Sequence, residues 1–172
     1  MFTNLRLAIL RLMKIIKDFL EPKILKQMQE LVFSSNFPYF YVSRVGSVTD
    51  ESDFMFTHIL FLDNKQNSEY YNNLVSPILG RLNFNYLWRA KLNCYTKKEK
   101  FVYTDLHTDF KEPHTVALFS LNTCNGFTYF EDTKEKVPSI ENQVCIFDGN
   151  RRHCSVSQTD TDLRINININ LQ

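Results

Sequence analysis

Glycine is scarce in this chain, four residues in 172, while asparagine is abundant at sixteen. Together with the many Lys, Ile, Phe and Tyr residues, this bias points to an AT-rich coding sequence. It bears on origin and not on chemistry. Excess charge is also missing. A formal net charge of +1 provides no global field for steering nucleic acid or acidic membranes. The four cysteines, Cys94, Cys124, Cys145 and Cys154, never form a C-x-x-C pair, and no secretory signal is visible. Reduced thiols in a cytoplasm are the expectation. The apolar segment Leu5–Ile16 is broken by Arg6, Arg11 and Lys14 and lacks a small-residue cleavage site. It is read as neither a signal peptide nor a membrane span. No internal repeat or low-complexity linker occurs. What is present, 44% hydrophobic and 14% aromatic residues, suits one globular domain with a sizeable core.

The N-terminal half mixes periods. Residues 5–16 read as an amphipathic helix or as the approach to a strand at Met13–Phe19. Pro22 suits a first helical turn, and Ile24, Leu25, Met28, Leu31 and Val32 recur at helical spacing, so 21–33 is a helix. Tyr39–Val45 reads as a strand, Gly46–Ser52 as a polar turn, Phe54–Leu62 as a strand and Asp63–Ser68 as a loop. Ser68–Leu82 reads as a second helix that Pro77 kinks or divides.

From Leu87 the period becomes two. In 88–95, Trp88, Ala90, Leu92 and Cys94 fall on one face, and Arg89, Lys91, Asn93 and Tyr95 on the other. Further strands are expected at Phe101–Asp109, Thr115–Asn122, Phe127–Phe130, Val144–Phe147 and Leu163–Leu171, with Asn-Gly, Pro-Ser and Asp-Gly turns between them. The expected fold is α+β, mainly β: a double-stranded β-helix of the jelly-roll, cupin-like type with N-terminal helices packed on one sheet. It forms one domain over 1–172, an α+β cap at 1–86 and a β-helix core at 87–172. In the last strand Ile165, Ile167 and Ile169 should pack against the helices. Arg164 and Asn166 should then point into the barrel mouth. Asn93 and Tyr95 are placed inward too, with Trp88 and Leu92 between sheet and helices.

The chemistry lies in His107-Thr108-Asp109. Side chains i and i+2 of an extended backbone share a face, so this imidazole and carboxylate can reach one metal ion. His153 follows in a short polar loop, and Arg164 eleven residues later. Two His and one carboxylate in the order H-x-D…H form the facial triad of non-haem Fe(II) oxygenases, which leaves metal positions open. Arg164 is where such a site would anchor an acidic co-substrate, because a guanidinium pairs with a carboxylate through two parallel hydrogen bonds. H-x-D alone is a weak signal. Its combination with a distal His and a strand-borne Arg is much stronger.

These motifs, with Leu92-Asn93-Cys94-Tyr95, the stretch LFSLNTCNGFTYF from Leu118, VCIFDGNRRH from Val144 and Leu163-Arg164-Ile165-Asn166, resemble the Fe(II)- and 2-oxoglutarate-dependent oxygenases. The prolyl-hydroxylase-like branch is the most similar, in order and rough spacing over 88–170. Lys17-Asp18-Phe19-Leu20-Glu21-Pro22 is similar to that branch's entry strand and first helix. The small size resembles stand-alone members from tailed phages, which would place the protein in a host cytoplasm. The resemblance implies His107, Asp109 and His153 as catalytic iron ligands and Arg164 as partner of the 2-oxoglutarate tail. It also implies Tyr95 as a co-substrate contact. Asn93 and Asn166 are further candidates on the same inward face. The implied cofactors are Fe(II), 2-oxoglutarate and O2, with ascorbate in support. The implied reaction is hydroxylation of a C–H bond with release of succinate and CO2. A protein prolyl or other side chain comes first as substrate, then a nucleotide, nucleic acid or small metabolite. One departure is Ser120, where the branch often has Tyr. A non-catalytic cupin-like module binding a metal or an acid is the alternative class, and a scaffold with an incidental triad is a third.

The remaining candidates have plainer readings. His58 is expected to be a satisfied core or interface histidine. His114 is a loop residue near the mouth. Cys154 beside His153 lacks the further ligands of a zinc site. Lys97-Lys98-Glu99-Lys100 and Arg151-Arg152 are read as solvated loops, with a basic rim for an acidic substrate as the functional alternative.

Overall fold

The computed structural model describes residues 13–45 and 54–172. The expected turn at Gly46–Ser52 and the segment before Met13 lie outside the described residues. The chain order is β1 (Lys14–Ile16), α1 (Pro22–Val32), β2 (Phe40–Val42), β3 (Met55–Leu62), β4 (Lys65–Gln66), α2 (Tyr71–Leu74), α3 (Ser76–Leu79), β5 (Leu87–Thr96), β6 (Thr115–Ser120), β7 (Cys124–Phe130), β8 (Lys136–Ser139), β9 (Gln143–Asp148), β10 (His153–Val156) and β11 (Leu163–Leu171). Eight strands form one sheet in the order β1-β9-β6-β11-β5-β3-β2, with β4 paired to β3. A second sheet, β10-β7-β8, faces it and completes a double-stranded β-helix.

β11 lies between β6 and β5 and is buried on both sides. Its Arg-Ile-Asn-Ile-Asn-Ile-Asn alternation therefore separates two interiors. Ile165, Ile167 and Ile169, each 0% exposed, join the main core with Leu25, Met28 and Val32 of α1 and with Leu74 and Ile78. Burying each such aliphatic side chain contributes about 1.5–3 kcal/mol. Arg164, Asn166 and Asn168 line the cavity on the other face, as the alternation predicts.

α1 starts with Pro22 in its first turn and ends at Phe33, and its buried residues Leu25, Met28 and Val32 form one apolar stripe. The β3–β4 hairpin turns through Asp63 and Asn64, both with positive φ (51° and 61°). Such two-residue turns favour Asp and Asn. Asn142, also at positive φ, brackets Leu20 by accepting from its N–H and donating to its carbonyl, both at 2.8 Å. This holds the N-terminal segment against the sheet.

Several expectations need correction. Ser68–Leu82 forms two single-turn helices, α2 and α3, with Pro77 near the start of the second. The strand expected at Tyr39–Val45 is only Phe40–Val42. The Pro-Ser pair expected as a turn lies in β8, an edge strand, where Pro is tolerated. Phe101–Asp109 is not a ladder strand: two isolated bridges, Tyr103 to Val156 and His107 to His153, tie it to β10. It is a strap whose Phe101 and Tyr103 rings pack on Phe127 and Tyr129. Trp88 does not join the layer between sheet and helices. A register shift at Asn170/Leu171 turns Leu87 into that core, and Trp88 stacks on His114 and meets Phe110 edge-on.

Candidate metal and oxo-acid site

The strap delivers the first histidine. His107 and His153 exchange backbone hydrogen bonds, N–H to carbonyl at 3.0 Å in both directions. Their rings consequently lie side by side, with centroids 4.9 Å apart. His153 is the first residue of β10, not a loop residue, and its ring packs against Phe130 and Phe147. Each Nδ1 sits 2.9 Å from a carbonyl two residues back, Asp105 for His107 and Arg151 for His153. The Nδ1–H tautomer satisfies both carbonyls and leaves each Nε2 as a free lone pair, which is how metal-binding imidazoles are oriented.

Asp109 completes the group. One ligand atom from each of His107, Asp109 and His153 lies within 4.8 Å of the others. The carboxylate is tightly held: Oδ1 accepts from Arg89 Nη2 at 2.8 Å, and Oδ2 from the Asn168 and Asn170 amides at 3.0 Å each. Burial alone would raise its pKa. The Arg89 charge, His153 and the two amides outweigh burial and keep it well below the usual carboxylate range. His153 is shifted downward, chiefly by burial, so its neutral, ligating form is favoured. A preformed carboxylate and two imidazoles with free Nε2 atoms match the donor set of ferrous iron.

Arg164 is 2% exposed and lies on the lining of the same cavity, whose volume is about 110 Å³. Its Nη1 donates to Ser155 Oγ at 2.7 Å and to the Val156 carbonyl at 3.3 Å, and its Nη2 donates to Thr128 Oγ1 at 3.3 Å. Its Nε is buried without a partner, and no carboxylate pairs with it among the described residues. Gly126 makes room for it: a Cβ there would stand 3.1 Å from Arg164 Cδ. The Tyr95 ring lies under the guanidinium at 5.3 Å. Burial raises the Tyr95 pKa, against the Arg164 charge and hydrogen bonds with Ser155 and Asn166, so the phenol remains a donor. Asn93 donates to Asn166 at 3.0 Å and keeps a buried, unpartnered Oδ1. All seven candidate residues thus line one cavity.

Arg89, Lys91, Thr128, Ser155, Asn168 and Asn170 also belong to this site, although sequence reasoning assigned none of them a role. The alternation of β5 and β11 already placed Arg89, Lys91 and Asn168 on the cavity face. Their significance depends on Asp109, which arrives from the strap. Ser120 is buried opposite Asn166 and does not line the cavity, so hydroxyls from Tyr95, Thr128 and Ser155 cluster around Arg164 without it. His58 is a satisfied core histidine, bonded to the Pro38 carbonyl and Ser68 Oγ at 2.8 Å each. His114 is buried against Trp88 and Phe110 and does not line the cavity. The basic rim is not available at Arg151 and Arg152. Arg151 makes a bidentate pair with Asp132 at 2.8 Å, and Arg152 pairs with Glu131 at 3.2 Å.

No protein-family model matches the sequence, and no curated protein matches it by sequence. Solved structures do match. A prolyl hydroxylase from Trichoplax adhaerens, in complex with a hypoxia inducible factor peptide, superposes with TM-score 0.62 at 16% identity over 99% of this chain and 90% of that one. The viral collagen prolyl hydroxylase of Paramecium Bursaria Chlorella virus-1 matches with TM-score 0.58 at 11% identity over 93% and 96% of the two chains. The α-ketoglutarate-dependent carbocyclase SnoK from nogalamycin biosynthesis matches with TM-score 0.64 at 14% identity over 96% and 81%. The chain therefore has the double-stranded β-helix fold found in prolyl hydroxylases and other 2-oxoglutarate- and Fe(II)-dependent oxygenases.

Proposed function

We propose that this protein is a non-haem Fe(II)- and 2-oxoglutarate-dependent oxygenase that hydroxylates a C–H bond and releases succinate and CO2. One observation carries the reading: a buried guanidinium with no anionic partner among the described residues shares a small cavity with a His-Asp-His group. An unpaired buried charge is costly. A dicarboxylate reaching from the metal group to Arg164 removes that cost.

His107, Asp109 and His153 would hold the iron through the two Nε2 atoms and one carboxylate oxygen. When bound, Fe(II) supplies the oxygen-dependent decarboxylation of the oxo acid that is coupled to oxidation of the substrate. The protein's own residues bind and orient. Arg164, with Ser155, Thr128 and the Tyr95 hydroxyl, receives the distal carboxylate. Asn168 and Asn170 fix the plane of Asp109. Val45, Met55, Leu118 and Phe147 supply apolar wall and limit water. For the substrate, a protein side chain with proline first follows the two prolyl hydroxylases of like fold, though the fold also serves the SnoK carbocyclase. A reducing cytoplasm agrees with four buried, free cysteines. No helix among the described residues is long and apolar enough to cross a membrane.

The test is succinate formation from 2-oxoglutarate with Fe(II), O2 and ascorbate. Asp109→Ala and His153→Ala should each abolish it. Turnover at the wild-type rate in either variant contradicts the proposal.

A further inference from the structure

Among the described residues, the cavity carries more positive charge than the proposed ligands neutralise: Arg89, Lys91 and Arg164 line it, and Asp109 is the one carboxylate there. Arg89 is committed to Asp109, and Arg164 awaits the distal carboxylate of the oxo acid. Lys91 is left over. No hydrogen bond or ion pair joins its ammonium to a protein group among the described residues.

Strand register shows where Lys91 sits. β5 and β11 present four facing pairs to the cavity: Tyr95 with Arg164, Asn93 with Asn166, Lys91 with Asn168, and Arg89 with Asn170. Asp109 Oδ2 takes the amides of both Asn168 and Asn170 and so stands over the last two pairs. Lys91 is therefore at the metal end of the wall, two pairs away from Arg164. Across from it, the Oδ1 of Asn168 is buried without a partner. Lys91 and Asn168, whose amide oxygen is open, are thus cross-strand partners beside the metal group, and among the described residues no carboxylate forms an ion pair with the Lys91 ammonium.

We propose that Lys91 is an anion anchor at the metal end of the cavity, its ammonium holding a carboxylate seated beside the metal. The inference rests on the oxygenase reading and adds a second charged contact to it. Two ligands can present that carboxylate: the oxo acid through its C1 group, or a substrate that carries a carboxylate of its own. In either case Lys91 is a binding and positioning residue.

Calorimetric titration of the Mn(II)-loaded protein with 2-oxoglutarate tests this without turnover. If the C1 carboxylate is the ligand, Lys91→Met weakens binding about tenfold or more, the worth of a charge-assisted hydrogen bond, and Lys91→Arg recovers most of it. If a substrate carboxylate is the ligand, 2-oxoglutarate binds the Met variant normally. Acetate then binds the Mn(II)- and 2-oxoglutarate-saturated wild type and fails to bind the saturated Met variant. Wild-type affinity of Lys91→Met for both probes overturns the proposal. Thermal unfolding of the same samples verifies that the variants are folded. Failure of the oxygenase reading looks different: 2-oxoglutarate then binds neither wild type nor variant, or binds Arg164→Met unchanged.

Discussion

Arg89 Nη2 lies 2.8 Å from Asp109 Oδ1, and both side chains are largely buried. A cation thus sits directly against the carboxylate proposed to bind the metal. In the metal-free protein Arg89 is the countercharge of Asp109. Arg89→Met should leave that carboxylate buried without its paired cation, at a cost of about 3–5 kcal/mol. Excess Mn(II) should recover part of the loss, because the metal replaces the missing positive charge. Thermal unfolding in EDTA and in Mn(II) measures both. An unchanged melting temperature in EDTA contradicts this role.

Acid should destabilise the metal-free protein in two stages. The His153 pKa is lowered by burial, so its stabilising contribution is complete above about 6.5, the free histidine value, and is lost as pH falls below it. Asp109 is also depressed, because Arg89, His153 and the amides outweigh burial. Its contribution is complete above about 3.9 and is lost as pH falls further. A melting-temperature profile in EDTA should therefore decline below about pH 6.5 and again below about pH 4. His153→Gln should flatten the first decline and Asp109→Asn the second. Profiles parallel to the wild type would refute the assignment.

Lys91 should cost stability at neutral pH. Burial, joined by the Arg89 charge and opposed by Asp109, lowers its pKa to about 8. Charging this ammonium therefore penalises the folded state. The penalty is complete below about pH 8 and is relieved as pH rises toward about 10.4, the unfolded value. Lys91→Met should raise the melting temperature at pH 7 by ~2–4 °C, about 1 kcal/mol in a chain of this length. The gain should shrink at high pH. A lower melting temperature at pH 7 would contradict an uncompensated charge.

Gly126 leaves the space that Arg164 occupies. A methyl group there would stand 3.0 Å from the Val156 carbonyl, 3.1 Å from Arg164 Cδ and 3.1 Å from the Gln158 nitrogen. Gly126→Ala should cost about 1–3 kcal/mol by overpacking. It should also reduce the stabilisation that 2-oxoglutarate gives the Mn(II)-loaded protein. Full ligand-induced stabilisation in this variant would mean that Arg164 does not hold the co-substrate.

The parts legible in the sequence are those with unbroken alternation. β11 is central and covered on both faces, so Arg-Ile-Asn-Ile-Asn-Ile-Asn sorts directly into core and cavity. The same reading failed at Trp88, because a local register shift gives its place in the core to Leu87. The strap from Phe101 has alternating apolar residues, but these serve ring packing on the smaller sheet in place of a strand ladder. β8 was hidden by Pro138, which an edge position tolerates. The Arg151–Asp132 and Arg89–Asp109 pairs join residues 19 and 20 apart, and Asn168 reaches Asp109 across 59 residues. No local pattern records such pairings, so Arg89 and Lys91 could be assigned to the correct face without a role.

His107, Asp109, His153 and Arg164 together should present iron and an oxo acid to each other. Anaerobic optical titration tests it most directly. Fe(II) alone should give no visible band, and added 2-oxoglutarate should produce a weak charge-transfer absorption that saturates at one equivalent and bleaches when oxygen is admitted. The wild type should show that band, and Asp109→Ala and His153→Ala should lack it. No band in the wild type at saturating Fe(II) and 2-oxoglutarate, or an undiminished band in either variant, would contradict it.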